Sequence, residues 1–127
     1  MQAERIQATV AAQKSDEVRS ALEKVWLSSR PEALGRLVTL RRFTDSLRSG
    51  TPDQDSWERA LSAAHRLSGS LGMFGFSEAS VCAAEIEALL AGGSTLDVAT
   101  LARLVERMRG LLERTQASSG KPEQRDL

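Results

Sequence analysis

Apolar residues recur every three or four positions through almost the whole chain, and no segment shows the alternation of apolar and polar residues that marks a β-strand. Short stretches rich in glycine, proline and serine interrupt the pattern near residues 29–32, 50–53, 72–76 and 92–97. The spacing therefore predicts an all-α protein. We expect helices over residues 3–28, 29–49, 53–71, 77–91 and 94–115.

Helices of this length joined by short turns pack as antiparallel neighbours. We therefore predict an up-and-down antiparallel four-helix bundle formed by the last four helices, with an additional N-terminal helix packed on it. A predicted capping box separates the N-terminal helix from the second helix. In it Ser29 is the N-cap, Pro31 lies in the first turn and Glu32 is the third residue after the cap. The predicted organisation is an N-terminal helix (1–28), the bundle (29–116) and a polar tail (117–127).

The composition excludes several classes of protein. The chain has 127 residues with 17 basic and 17 acidic side chains, so no net charge attracts nucleic acid or an anionic membrane. The single cysteine, Cys82, cannot form an internal disulfide, and its apolar spacing predicts a buried thiol. There is neither a signal-peptide pattern nor an apolar run of about 20 residues. We expect a cytoplasmic protein that binds neither nucleic acid nor membrane.

The chain contains one histidine, His65, in the middle of the third predicted helix. At 100° per residue it lies at the boundary of the apolar face, which is centred near Ala64. Gly69 and Gly72 lie on the same side, although a glycine inside a helix costs about 1 kcal/mol relative to alanine. Two interpretations remain open: an exposed nucleophile with clearance for another surface, or a boundary histidine beside glycines that only allow close helix packing.

The sequence offers little else for chemistry. One histidine and one cysteine cannot complete a zinc site, so we predict no metal site. The predicted helix places no general base or oxyanion donor beside His65, so the chain is not expected to be a self-sufficient enzyme.

Residues 64–87 resemble the signature of histidine phosphotransfer domains of two-component phosphorelays. The segment reads Ala-His-Arg-Leu-Ser-Gly-Ser over residues 64–70, continues with Gly72 and Gly75 in a turn, and ends with the pair Ile86-Glu87. The resemblance implies that His65 accepts a phosphoryl group from the phospho-aspartate of a receiver domain, or from a histidine kinase, and passes it on.

The resemblance also implies the rest of the site. Gly69 would make room for the receiver, and Ser70 would orient the phosphoryl group or cap the helix. This chain would carry no cofactor, because Mg²⁺ would be held by the partner receiver domain, and the protein would be a phosphoryl carrier rather than a turnover enzyme. We expect the partner-binding surface near the histidine, formed by Arg59, Ser62, Arg66, Gly69 and Gly72.

One residue departs from the family pattern: Ser68 stands where the family has a lysine, three positions after the histidine. A lysine there would attract the phosphoryl oxygens, whereas a serine offers one hydroxyl group and no charge. Transfer could continue with a less stabilised phosphohistidine, Arg66 or an arginine on a neighbouring helix could supply the charge, or the domain could bind a receiver without efficient transfer. The remaining alternatives are a structural or dimerising helical bundle and the phosphorylatable module of a kinase encoded elsewhere.

Overall fold

The computed structural model describes the backbone of residues 2–120 and the side chains of residues 15–93 and 95–115. Within that range every regular element is helical, and no strand occurs, as the periodicity predicts. The elements are α1 (Gln2–Ser49), α2 (Gln54–Met73), α3 (Ser77–Ala91), a short 3₁₀ turn (Gly93–Thr95) and α4 (Val98–Gly120).

The chain divides into two compact units, Met1–Pro31 and Glu32–Leu127. In the second unit, α3 packs against both α2 and α4. The rings of Phe43 on α1 and Trp57 on α2 meet edge to face with their centroids 4.9 Å apart. One apolar core therefore unites the helices of this unit, and its largest fully buried side chains are those of Leu40, Leu67, Leu71, Ile86, Leu101, Met108, Leu112 and Cys82.

The separate N-terminal helix is not observed, because α1 continues without a break through the predicted capping box and carries Pro31 inside it. Glu32 does not act in a capping box here, because its carboxylate accepts a hydrogen bond from Arg36 at 2.7 Å, one turn further along the same helix. A capping box requires that carboxylate to turn back toward the backbone N–H of the cap residue. Residues 2–28 instead form the first part of α1.

The turn between α2 and α3 has the geometry that a glycine-terminated helix requires. Gly75 adopts a φ of 85°, in the left-handed region that favours glycine. The backbone N–H of Phe76 donates to the carbonyl of Leu71 at 2.9 Å, which is the closing bond of a Schellman motif. This turn sends α3 back along α2, so residues early in α2 face residues late in α3.

The other boundaries follow their caps. Asp53 precedes α2, and its carboxylate accepts from the backbone N–H of Ser56 at 2.8 Å. Helix α4 begins at Val98 rather than at residue 94, and the Asp97 carboxylate accepts from the Ala99 N–H at 3.1 Å. At the other end α4 continues to Gly120, so the first four residues of the predicted polar tail are helical. Residues 121–127 of that tail lie outside the described residues.

Cys82 is buried, as predicted, and its thiol donates to the carbonyl of Leu104 on α4 at 3.3 Å. Burial raises the pKa of this thiol above its usual value, which disfavours the reactive thiolate. The cysteine is therefore part of the packing between α3 and α4.

Candidate functional site

The hairpin of α2 and α3 brings together two titratable side chains that are 22 residues apart in the chain. The Nδ1 atom of His65 lies 2.9 Å from Oε2 of Glu87, within hydrogen-bonding distance. The His65 side chain is 74 % exposed, while that of Glu87 is 33 % exposed. The imidazole is thus held from one side by its own chain and is open to solvent elsewhere.

This contact assigns different roles to the two ring nitrogens. An ionised carboxylate can only accept hydrogen bonds, so Nδ1 must carry the hydrogen that it donates to Glu87. In the neutral imidazole the other nitrogen, Nε2, then keeps its lone pair. The arrangement therefore presents Nε2 as the nucleophilic or basic atom of the site.

Helix periodicity explains why both residues lie at the surface beside a buried neighbour. Ala64 and Ile86 are fully buried in the core, and each is adjacent in sequence to one member of the pair. A step of one residue turns the helix by 100°, which moves His65 and Glu87 from the core to its edge. Because α2 and α3 pack together in antiparallel orientation, His65 in the middle of α2 lies beside Glu87 near the end of α3.

The two glycines on the histidine side of α2 lie in different environments. A Cβ atom added at Gly69 would meet nothing within 4 Å, whereas one added at Gly72 would lie 3.1 Å from Oγ of Ser80. Packing within this chain therefore does not require the glycine at position 69. At position 72, by contrast, the missing side chain lets α3 approach.

The two serines of the motif occupy different positions around α2. Ser68 is partly buried, and its backbone carbonyl accepts a hydrogen bond from the Ser80 hydroxyl at 2.8 Å. Ser70 follows His65 by five residues, which places it about 140° around the helix. Its backbone carbonyl accepts from the N–H of Phe74 at 3.2 Å, at the end of α2.

The predicted partner-binding residues are all solvent-exposed: Arg59, Ser62, Arg66, Gly69 and Gly72. Arg59 and Arg66 are seven residues apart and so lie on the same side of α2, about 100–120° around the helix axis from His65. Arg59 also lines a groove between α1 and α2 together with Arg42. We call Arg42, Arg59 and Arg66 the arginine strip; all three side chains are exposed.

The contacts of two residues, Glu87 and Ser80, were not predicted from the sequence. Glu87 was part of the motif comparison, but nothing in the sequence indicated that its carboxylate contacts the histidine. Its position beside the buried Ile86 is the signal that could have placed it at the edge of α3. Ser80 carried no recognisable signal, since a serine on a helix most often hydrogen-bonds within its own turn.

Within the described residues, no group of three or more His, Cys, Asp or Glu side chains is arranged to hold a metal ion. Among the same residues no helix is both long and apolar enough to cross a bilayer.

Comparison with known proteins gives one family. The family model described as "Hpt domain" matches residues 2–118, which is nearly the whole chain and includes the hairpin that carries His65. No curated protein and no solved structure matches the sequence. Hpt domains are helical phosphocarriers that act with receiver domains and histidine kinases in two-component signal transduction. The family match and the exposed histidine on a helical bundle agree, and the chain belongs to the Hpt domain family.

Proposed function

We propose that His65 accepts a phosphoryl group on Nε2, from a receiver phospho-aspartate or from a histidine kinase, and passes it to a second receiver. The observation that carries the proposal is the 2.9 Å contact between Nδ1 of the exposed His65 and the Glu87 carboxylate. This contact supports a single nucleophilic nitrogen on a histidine that a partner can reach.

The transfer step uses the two ring nitrogens in turn. The Nε2 lone pair forms a bond to phosphorus, and the bond between phosphorus and the aspartate oxygen breaks with its electron pair remaining on the carboxylate. The imidazole keeps its hydrogen on Nδ1 and so becomes positively charged. The Glu87 carboxylate stabilises this charge through the same hydrogen bond, and the reverse steps release the phosphoryl group to the next receiver.

The remaining requirements of phosphoryl transfer are in-line placement and neutralisation of the charge on the phosphoryl oxygens. The family resemblance assigns these to the partner receiver, whose bound Mg²⁺ supplies the larger part of the neutralisation. In this proposal the chain contributes a positioned imidazole and acts as a carrier without turnover of its own. The proposal includes a cytoplasmic location, which stays a prediction.

The partner would dock on the histidine side of α2. Ser62, Gly69 and Gly72 have small side chains or none, so little projects from α2 around the imidazole. The arginine strip lies beside them. The absence of large side chains allows a receiver to bring its phosphorylated side chain to Nε2, while the arginines would attract an acidic partner surface. Ser70 is left with a role at the end of α2 rather than beside the phosphoryl group.

The direct test is transfer of ³²P from a phosphorylated receiver, or from a histidine kinase, to the purified full chain. We expect acid-labile, base-stable label on the wild type and none on His65→Gln, since glutamine has no ring nitrogen to attack phosphorus. Circular dichroism of both proteins controls for folding. Absence of label on the wild type with several receivers and kinases, or full label on His65→Gln, would contradict the proposal.

Ser68 distinguishes transfer from simple receiver binding. We propose that transfer continues without the family lysine, with Arg66 as the exposed cation nearest in sequence to the phosphorylated residue. Ser68→Lys should then lengthen the lifetime of the phosphohistidine by up to about fivefold, because an exposed ion pair contributes less than about 1 kcal/mol. Receiver binding with no label on either protein would instead select a regulatory module that binds without transfer.

A second candidate, a dimerising bundle, rests on the apolar residues of α1. Val18 and Leu22 are 59 % and 39 % exposed, whereas Trp26, one turn further on, is only 2 % exposed. Sedimentation velocity of the wild type and of Leu22→Glu would test it. A concentration-dependent dimer that Leu22→Glu abolishes would support self-association, and a monomer across the range would rule out this candidate.

A further inference from the structure

Ser80 makes a polar contact between α2 and α3 that the proposed chemistry does not use. Its hydroxyl donates to the backbone carbonyl of Ser68 across the helix interface at 2.8 Å. The contact is partly buried, and the space for it exists because residue 72 is a glycine. A Cβ at that position would lie 3.1 Å from the Ser80 hydroxyl oxygen.

The Ser80 contact and the histidine contact belong to the same line of residues between the two helices. Gly72 follows His65 by seven residues, and Ser80 precedes Glu87 by seven. Seven residues are close to two full turns, so both members of each pair lie on one face, about 10.5 Å apart along the axis. Because the helices are antiparallel, the separation and register set at Ser80 carry over to the place where Glu87 meets His65.

We propose that Ser80 is a positioning residue for phosphoryl transfer: its hydrogen bond to the Ser68 carbonyl, admitted by Gly72, holds α3 where the Glu87 carboxylate reaches Nδ1 of His65. The consequence for transfer rests on the proposed function, while the consequence for the histidine tautomer does not. Ser68 gains a second role here, because its backbone carbonyl, and not its side chain, is the anchor.

The distances at Gly72 make the idea testable with two variants. In Gly72→Ala the new Cβ would be 3.1 Å from the Ser80 oxygen, closer than such contacts usually are, but 3.8 Å from the Ser80 Cβ, an ordinary contact. The conflict therefore involves the hydroxyl group alone. Gly72→Ala must push this oxygen by a few tenths of an ångström and so strains its bond to the Ser68 carbonyl, whereas Ser80→Ala removes the bond altogether.

The experiment measures the tautomer of His65 by ¹⁵N NMR of the full chain, together with the rate of phosphoryl transfer. In the wild type we expect the Nδ1–H form. Ser80→Ala should shift the population toward the mixture seen in Glu87→Ala and slow transfer by about threefold to tenfold, since small displacements of reacting groups have effects of at least this size. Ser80→Thr, which keeps the hydroxyl, should retain the wild-type tautomer.

The matched control is Ser28→Ala on α1. The Ser28 hydroxyl donates to a carbonyl of its own helix, that of Val25, at 2.9 Å, so the same chemical change removes no bond between helices. This variant should leave both the tautomer and the transfer rate unchanged. The double variant Gly72→Ala/Ser80→Ala should be no worse than Ser80→Ala, because the bond that Gly72→Ala strains is already absent there.

A wild-type tautomer and rate in both Ser80→Ala and Gly72→Ala would overturn the inference. Should Ser80→Ala fail to fold, Gly72→Ala supplies the same readout. Failure of the proposed function looks different: the wild type would then take no label, while the tautomer would still respond to Ser80→Ala. The two ideas can therefore fail separately.

Discussion

Two faces of the same bundle use polar side chains in different ways. On the α2–α3 face, polar contacts cross between helices, from His65 to Glu87 and from Ser80 to the Ser68 carbonyl. In the groove between α1 and α4, charged side chains pair along their own helix, as Arg48 does with Asp45 at 3.7 Å.

Bonds within one helix and bonds between two helices have different structural consequences. Arg103, which lines the α1–α4 groove, donates to Thr100 of its own helix at 3.1 Å, so this bond is unaffected by the position of α1. Exposed pairs of this kind contribute little to stability. A bond that crosses between helices, by contrast, depends on their separation and register. Of these two faces, only the α2–α3 face has polar contacts that depend on how the helices are placed and so could hold a functional group in position.

The two faces share one core, and disrupting that core should have the largest effect. Leu67 on α2 and Leu101 on α4 are both fully buried. Leu67→Ala and Leu101→Ala should each lower the free energy of unfolding by about 2–5 kcal/mol, because each leaves a cavity. Urea denaturation measures both values. A loss below about 1 kcal/mol for either variant would show that its face is not part of the common core.

Removing a carboxylate should affect transfer on one face and not on the other. Glu87→Ala should slow phosphoryl transfer by about tenfold, since it removes a hydrogen bond to a ring that becomes positively charged. Glu106→Ala is the matched control, because Glu106 also pairs with a cation, Arg109, but on α4. Initial rates of label transfer provide the measurement. Equal rates for all three proteins would remove Glu87 from the mechanism.

The sequence predicted the helices better than it predicted the contacts between them. Periodicity places Ala64 and Ile86 in the core, and it follows that His65 and Glu87 lie at the edge. It does not give the rotation or register of α3 relative to α2, which depend on packing along both helices. The bond from Ser80 to the Ser68 carbonyl could not be predicted for the same reason.

The break predicted at Ser29 was wrong for a related reason. A capping box is a local pattern, and the same residues can also lie inside a continuous helix. Here the Glu32 carboxylate pairs with Arg36, one turn further along, and α1 continues through Pro31. The motif around His65 identified the family correctly, because it combines several residues over the hairpin rather than two in a single turn.

Glycines on the two faces allow a test of steric clearance. Gly69 on α2 and Gly110 on α4 both lie inside helices, and a Cβ at either would meet nothing within 4 Å. Each change to alanine should therefore raise the free energy of unfolding by about 0.5–1 kcal/mol. Only Gly69→Ala should also slow transfer, by about fivefold, because only this methyl group would stand between His65 and the receiver. Unchanged transfer in Gly69→Ala would show that the receiver does not approach over this residue.

The smallest expected effect should be common to both faces. Asp53 precedes α2 and Asp97 precedes α4, and hydrogen bonds lower the pKa of each carboxyl below its usual value of 3.8, from the Ser56 backbone in one case and the Thr100 hydroxyl in the other. A pKa lowered by folding means that the ionised carboxylate stabilises the folded state. This contribution is complete above the unfolded pKa and is lost as the pH falls through the folded pKa.

Asparagine keeps the capping oxygen but has no charge to lose. Asp53→Asn and Asp97→Asn should therefore have melting temperatures close to that of the wild type at pH 7, and each should show a slightly smaller decrease between pH 5 and pH 2. Thermal denaturation followed by circular dichroism gives these values. A decrease as large as that of the wild type in both variants would assign the acid sensitivity to other carboxylates. A difference confined to Asp53→Asn would mean that the start of α2, the helix that carries His65, is more important for stability than the start of α4.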